Sequence, residues 1–161
     1  MTYLGIDPGK KGAIAKIDHD EIHIFAIPLI DTKTYDLDGI LRILDSVPCG
    51  YHGAAVERLM ALPVTMGGGW TNYARGESLA WEWLLRSRGI PVVRPLPVQW
   101  QKKAFLGSTG EDSKTRSILE AQRRWPGVNL FRTPRSRNLD DGFADALHLA
   151  QYAKDRFGGQ R

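Results

Sequence analysis

Cysteine is almost missing from this sequence: Cys49 is the single thiol among 161 residues. One cysteine excludes an intramolecular disulfide framework and suits a reducing cytoplasm. Long apolar runs are missing as well. No window approaches the roughly 20 apolar residues of a spanning helix, which excludes a helical membrane protein. The opening MTYLGIDPGKKG lacks the charged-then-apolar layout of a signal peptide. What is present is globular composition, with 42% hydrophobic and 25% charged residues, so disorder of the whole chain is excluded. The length suits one domain that buries roughly 70% of its unfolded surface without a metal or disulfide staple. The expected domain is 1–157, followed by a frayed tail, 158–161.

Charge is unevenly spread. The chain carries 22 basic and 18 acidic residues, a net +4. Residues 1–57 hold 5 basic and 9 acidic residues, whereas 58–161 hold 17 and 9. Between Gln101 and Arg137, 9 basic residues face 3 acidic ones. A basic segment beside an acidic one suits a polyanionic partner held near carboxylates that cations must neutralise.

The pattern of residues predicts an antiparallel meander first. Thr2–Asp7 reads as a buried strand, Pro8–Gly12 as a tight turn, Gly12–Ile17 as a second strand and Glu21–Pro28 as a third. The polar Asp18–Asp20 connection joins the last two. Asp36–Val47 carries apolar residues at helical spacing and Pro48 ends it. Tyr51–Arg58 reads as a fourth strand, so the helix before it implies a parallel crossover. Leu59–Trp70, with its triple glycine, reads as a loop, Asn72–Arg88 as a helix and Ile90–Leu96 as an edge-tolerant strand with two prolines. Pro97–Leu106 reads as a helical turn, Gly107–Asp112 as a polar loop, Ser113–Trp125 as a basic amphipathic helix and Asp141–Phe157 as the last helix. The intervening Leu130–Leu139 is a basic loop whose composition suits ordering on binding. The class is α/β, a five-stranded mixed sheet flanked by helices in the order βββαβαβαα.

Carboxylates at the ends of apolar strands require a reason, because burying an unpaired charge is costly. Asp7 ends the first strand and Glu57 the fourth, and in neighbouring strands both project from one edge. Asp145 sits among small apolar residues, Phe143-Ala144-Asp145-Ala146-Leu147, and the alanines suit close approach to the sheet. Asp141 lies one turn earlier on the same helix face. Asp7, Glu57 and Asp141 each have a plainer reading alone, as a turn-starting Asp, a solvated Glu57–Arg58 pair and a helix N-cap, whereas Asp145 between alanines is the hardest to explain as structure. Together, such a set holds only if cations bind, and oxygen-only ligands suit Mg²⁺ or Mn²⁺. Two such ions about 3.5–4 Å apart serve phosphodiester hydrolysis.

Gly5-Ile6-Asp7-Pro8-Gly9, Glu57 at a strand end and Asp141-Gly142-Phe143-Ala144-Asp145-Ala146-Leu147 resemble the RuvC-type Holliday-junction resolvases, most of all their small phage-borne members. Tyr73-Ala74-Arg75-Gly76 resembles the start of that family's long central helix, and Lys102, Gly107, Gly110 and Lys114 match its later stretch in spacing. The resemblance runs from Tyr3 to about Tyr152. It implies an RNase H-like fold and a two-fold homodimer that acts on branched DNA in a bacterial or phage-infected cell. It further implies paired metal-dependent nicks in a four-way junction that leave 5′-phosphate and 3′-hydroxyl ends. By resemblance Asp7, Glu57, Asp141 and Asp145 bind two divalent ions, Lys102 and Lys114 contact DNA near the scissile phosphate, and Met60 stands where other members carry a junction wedge. No organic cofactor is implied.

The sequence departs from the family at three places. Its third ligand position is Gly142 here, with Asp140 and Asp141 just before it; Asp141 shares a face with Asp145, and Asp140 is held in reserve. Met60 is not aromatic, and the Leu62–Trp70 stretch differs from the usual pattern. Lys114 is the expected stabiliser of phosphoryl charge. Arg75, Arg116, Arg123, Arg124, Arg132, Arg135 and Arg137 are expected to follow phosphates. Tyr73, Trp81 and Trp83 make the Asn72–Arg88 helix the expected dimer helix, one face on the sheet and the other on a partner. His148 reads as a satisfied helix histidine and Cys49 as inert. Two other classes keep the same residues: an RNase H-like nuclease for forks, flaps or RNA–DNA hybrids, and a non-catalytic junction-binding protein.

Overall fold

The computed structural model describes residues 1–19, 21–47, 50–60, 68–106 and 112–159, with only the backbone for 68–74. Asp20, Cys49, Gly67, Gly107, Gly110, most of the Leu62–Trp70 stretch and the Tyr73 side chain therefore lie outside the described residues. Strands β1 (Thr2–Asp7), β2 (Ala13–Asp18) and β3 (Glu21–Ala26) form the meander, with α1 (Leu37–Asp45) leading to β4 (Gly53–Val56). Helix α2 (Gly68–Ser87) leads to β5 (Val92–Val93), and α3 (Pro97–Ala104), α4 (Ser113–Arg124) and α5 (Asp141–Phe157) complete the chain. The sheet order is β3-β2-β1-β4-β5. β1 is antiparallel to β2 and parallel to β4, which is in turn parallel to β5. The sheet is thus mixed and five-stranded, as the sequence pattern predicts.

Alternation along the strands divides the core between two faces. Leu4, Ile6, Ile14, Ala54 and Val56 face α1 and α2, where Ile40, Leu44, Trp81 and Leu85 cover them. Tyr3, Ala13, Ala15, Ile17 and Ala55 face α3, α4 and α5, with Trp100, Ala121, Leu147 and Leu149 above them. Gly5 sits where α5 crosses β1. A Cβ there would fall on the Ala146 carbonyl and the Ala150 amide, so only glycine lets the helix backbone lie on the strand. Among the described residues no helix is long and apolar enough to cross a membrane.

Several boundaries differ from the sequence reading. β5 spans Val92–Val93 rather than Ile90–Leu96, because Pro91 and Pro95 have no N–H for the ladder and serve it only as acceptors, from Ala54 and Arg58. α2 begins at Gly68, inside the stretch expected as loop. The turn expected at 97–106 is an eight-residue helix with Pro97 at its first position, which puts three helices after β5. The basic loop after α4 is not waiting for a ligand to order it. Leu130 is buried, its carbonyl accepts from Asp140 N, and Arg132 ties the loop to its surroundings.

Candidate active site

The parallel β1–β4 pairing aligns Ile6 with Val56, and Glu57 N donates to the Ile6 carbonyl at 3.1 Å. That extra bond carries the ladder one step past β4 and sets Glu57 beside Asp7 at the carboxyl edge of the sheet. Both follow residues of the α5 side, Gly5 and Ala55, by two positions, so both side chains project towards α5. The Glu57 backbone is fixed from the opposite side: Ser78 Oγ donates to its carbonyl at 2.6 Å, Arg94 donates to Ser78 Oγ at 2.9 Å, and Arg94 pairs with Glu82 at 3.1 Å.

Helix α5 brings the remaining carboxylates. Its backbone lies on Gly5, so Asp145 comes over the end of β1, and Gly142 stands so close that a Cβ there would be 3.1 Å from Asp7 Oδ2. The N-cap is Asp140, not Asp141. Asp140 Oδ1 accepts from Phe143 N at 3.0 Å and from Arg132 at 2.8 Å, and Arg132 Nε donates to Oδ2 at 2.5 Å. Arg132 also donates to the carbonyls of Lys11 and Gly12 in the β1–β2 turn. Asp140 is thereby consumed in holding the start of α5. Asp141, one position on, pairs instead with Lys114 Nζ at 2.9 Å.

The electrostatics follow from this crowding. Burial, then the charges of Glu57, Asp145, Asp141 and Asp140, hold the Asp7 carboxyl well above the usual carboxylate range. Among the described residues none donates a hydrogen bond to it. Burial also raises Glu57, partly offset by the indole of Trp100, which donates to Oε1 at 3.0 Å. Asp145 is pushed up to about 7, chiefly by burial, against the Ser117 hydroxyl that donates to its Oδ1. The neighbouring Asp141 raises Lys114. Among the described residues, no group of three or more acids stands as a ready-made cation cage. The donor set nonetheless fits a hard divalent cation: it is all oxygen, surplus in negative charge, and no donor among the described residues satisfies Asp7.

The other expected residues lie outside this cluster. Lys102, Arg75, Arg124, Arg135 and Arg137 are exposed. Met60 is 64% exposed, three residues beyond Glu57. Arg123 pairs with Glu120 at 2.7 Å, and Arg116 lies 5.4 Å over the Phe105 ring. Arg132, expected to follow phosphates, is spent on Asp140 and the turn. Trp81 lies in the core under the sheet, whereas Trp83 is 70% exposed on the outer side of α2. The sequence reading missed Trp100 and Ser117, both buried against the carboxylates. Their signal was faint: a tryptophan in a short helix and a serine on the apolar face of a basic one.

Among solved structures, the chain is similar to RuvC of T. thermophilus in complex with a Holliday junction substrate, at 15% identity and a TM-score of 0.55, over 93% of this chain and 90% of that one. Another T. thermophilus RuvC structure matches at 21% identity and a TM-score of 0.47, over 98% and 97%. No family model and no curated sequence matches the chain. The first likeness establishes the fold. The fold is α/β and RNase H-like, a mixed five-stranded sheet with its carboxylates at one edge, and it is similar to the fold of T. thermophilus RuvC.

Proposed function

We propose that the chain is a structure-specific DNA endonuclease that resolves four-way junctions by two symmetric, metal-dependent nicks, leaving 5′-phosphate and 3′-hydroxyl ends. The observation that carries this reading is Asp7: a desolvated carboxylate amid four others, without a donor among the described residues, at the sheet edge of a fold like that of RuvC. Asp7, Glu57, Asp145 and Asp141 would hold the divalent ions. Bound there, a pair of Mg²⁺ or Mn²⁺ ions supplies activation of a water and stabilisation of the leaving oxygen. Asp7, central to the group, would contribute to holding both ions. Lys114, 2.9 Å from Asp141, stands ready to steady charge that grows on the phosphoryl oxygens. Lys102, Arg75, Arg123, Arg124, Arg135 and Arg137 would follow the backbone of the arms, which carries affinity but no sequence information. Arg116 would support them from its place on Phe105. Met60 is the exposed apolar residue nearest to Glu57 in sequence and serves as the wedge candidate.

Two opposed nicks require two sites, hence a homodimer. Two features of α2 support one: Trp83 is exposed on its outer side, and on a different side a groove of about 510 Å³ between α1 and α2 is lined by Tyr35, Leu37, Ile40, Glu77, Trp81 and Leu84. The test is a synthetic four-way junction labelled on each strand, set against duplex, fork and RNA–DNA hybrid, with Mg²⁺, Mn²⁺ or EDTA. Paired nicks on the junction that disappear in Asp145→Asn are expected. Cutting of the hybrid or fork alone would keep the carboxylate site and remove the resolvase reading. Tight junction binding with no cutting would make this a binding protein.

A further inference from the structure

Beneath the carboxylates lies a buried polar unit that packing alone does not require. Trp100 on α3 is 1% exposed, and its indole N–H points at Glu57. Ser117 on α4 is also 1% exposed, and its hydroxyl points at Asp145. Between them sits His148 of α5. Its ring stacks on Trp100, with centroids 6.1 Å apart and planes at 21°, while Phe105 and Trp125 close the sides. Its Nε2 lies 3.0 Å from the Ser117 carbonyl. A carbonyl only accepts, so Nε2 carries the proton. Nδ1 is then a bare lone pair, buried and without a partner among the described residues. A leucine or phenylalanine would fill this space at no polar cost, whereas a buried indole N–H or hydroxyl needs an acceptor. Here the acceptors are the two carboxylates that flank Asp7.

We propose that Trp100 and Ser117 are positioning residues that hold Glu57 and Asp145 for divalent-cation binding, and that His148 locks them into one unit. The assignment rests on the reading that these carboxylates hold cations. Each donor commits one oxygen, Oε1 of Glu57 and Oδ1 of Asp145, and leaves the second oxygen for a cation. The coupling is physical: Trp100 cannot slide without disturbing the ring that grips the Ser117 backbone. Three helices, α3, α4 and α5, thereby act on two carboxylates that arrive from β4 and α5.

The test uses the full chain and Mn²⁺ as the probe, with no DNA present. Calorimetry at alkaline pH measures Mn²⁺ affinity for wild type, Trp100→Phe and Ser117→Ala. Loss of an outer-shell donor of this kind weakens metal binding by about 10–100-fold, and that loss is expected for both variants. Four-way-junction binding in EDTA should stay at the wild-type level, which a general loss of structure would not allow. In ¹⁵N-labelled wild type, the Trp100 indole resonance should move on titration with Mg²⁺. Should Trp100→Phe fail to fold, Ser117→Ala decides alone, since it removes a single oxygen. Folded variants with wild-type Mn²⁺ affinity would overturn the positioning role while leaving the carboxylate reading intact. A wild type that binds no Mn²⁺ would remove the carboxylate reading and this assignment with it.

Discussion

Replacing Asp145 by asparagine should make the cation-free protein more stable while disarming it. In the fold the Asp145 carboxyl is pushed up to about 7 from its ordinary 3.8, first by burial and then by Glu57 and Asp141. A raised acid favours folding while protonated. That contribution is fully present below the ordinary value and is lost as pH rises through about 7. The gap corresponds to an upper bound on the order of 4 kcal/mol at alkaline pH. Relaxation and water at the site's open edge reduce it to about 1–2 kcal/mol. Asparagine has the shape of the protonated acid, still accepts from Ser117 and carries no charge at any pH. Thermal unfolding in EDTA at about pH 8 should therefore place Asp145→Asn roughly 2–8 °C above wild type, at about 2–4 °C per kcal/mol for a chain of this size. The gap should shrink as pH falls from about 7 and close only below the ordinary 3.8, where Asp145 of the unfolded chain is protonated as well. Adding Mg²⁺ should raise wild type and leave the variant nearly unmoved. A variant no more stable than wild type at alkaline pH, or a gap indifferent to pH, would refute the claim that these charges strain the free fold.

Lys114→Met removes the partner of Asp141 and should lower the single-turnover cutting rate by about 100-fold or more, with only a small loss of junction affinity in a gel-shift assay. Gly5→Ala drives a methyl group into the α5 backbone and should destabilise by at least about 4 kcal/mol, or prevent folding, as read by urea unfolding. Trp83→Ser leaves the core intact and should shift sedimentation from dimer to monomer, converting paired nicks to unpaired ones on a labelled junction; an unchanged dimer would move the interface off α2.

Much of the fold is legible in the sequence because its signals are local. The meander follows from alternation and turn residues, and α5 runs over the predicted Asp141–Phe157 because its small apolar face is regular. Glu57 and Asp7 could be paired from strand ends alone, since a parallel neighbour puts both at one edge. What failed to show in the sequence is long-range. The N-cap of α5 turns on Arg132, which reaches from a loop that looks solvated by composition. Spacing favours Asp141 over Asp140, since Asp141 shares a face with Asp145, but the pairing of Asp140 with Arg132 and of Asp141 with Lys114 is not visible in it. His148 was expected as a satisfied helix histidine. One nitrogen fits that reading, and the other is bare because three aromatic rings fill the space around it. The ends of β5 were misplaced because prolines hide where a ladder stops.

The contact of α5 on Gly5 gives the site an unusual kind of ruler. Helix and strand touch through main chain, with no side chain between them as a spacer, so the gap from β1 to α5 is a van der Waals contact of backbone on backbone and not a rotamer choice. Thermal motion of side chains cannot lengthen it, and repacking the core elsewhere cannot shorten it. Asp7 and Asp145 are mounted on opposite jaws of this contact. The spacing of their backbones is therefore set when the chain folds, before any cation or DNA arrives, and only the side-chain rotamers remain to be held.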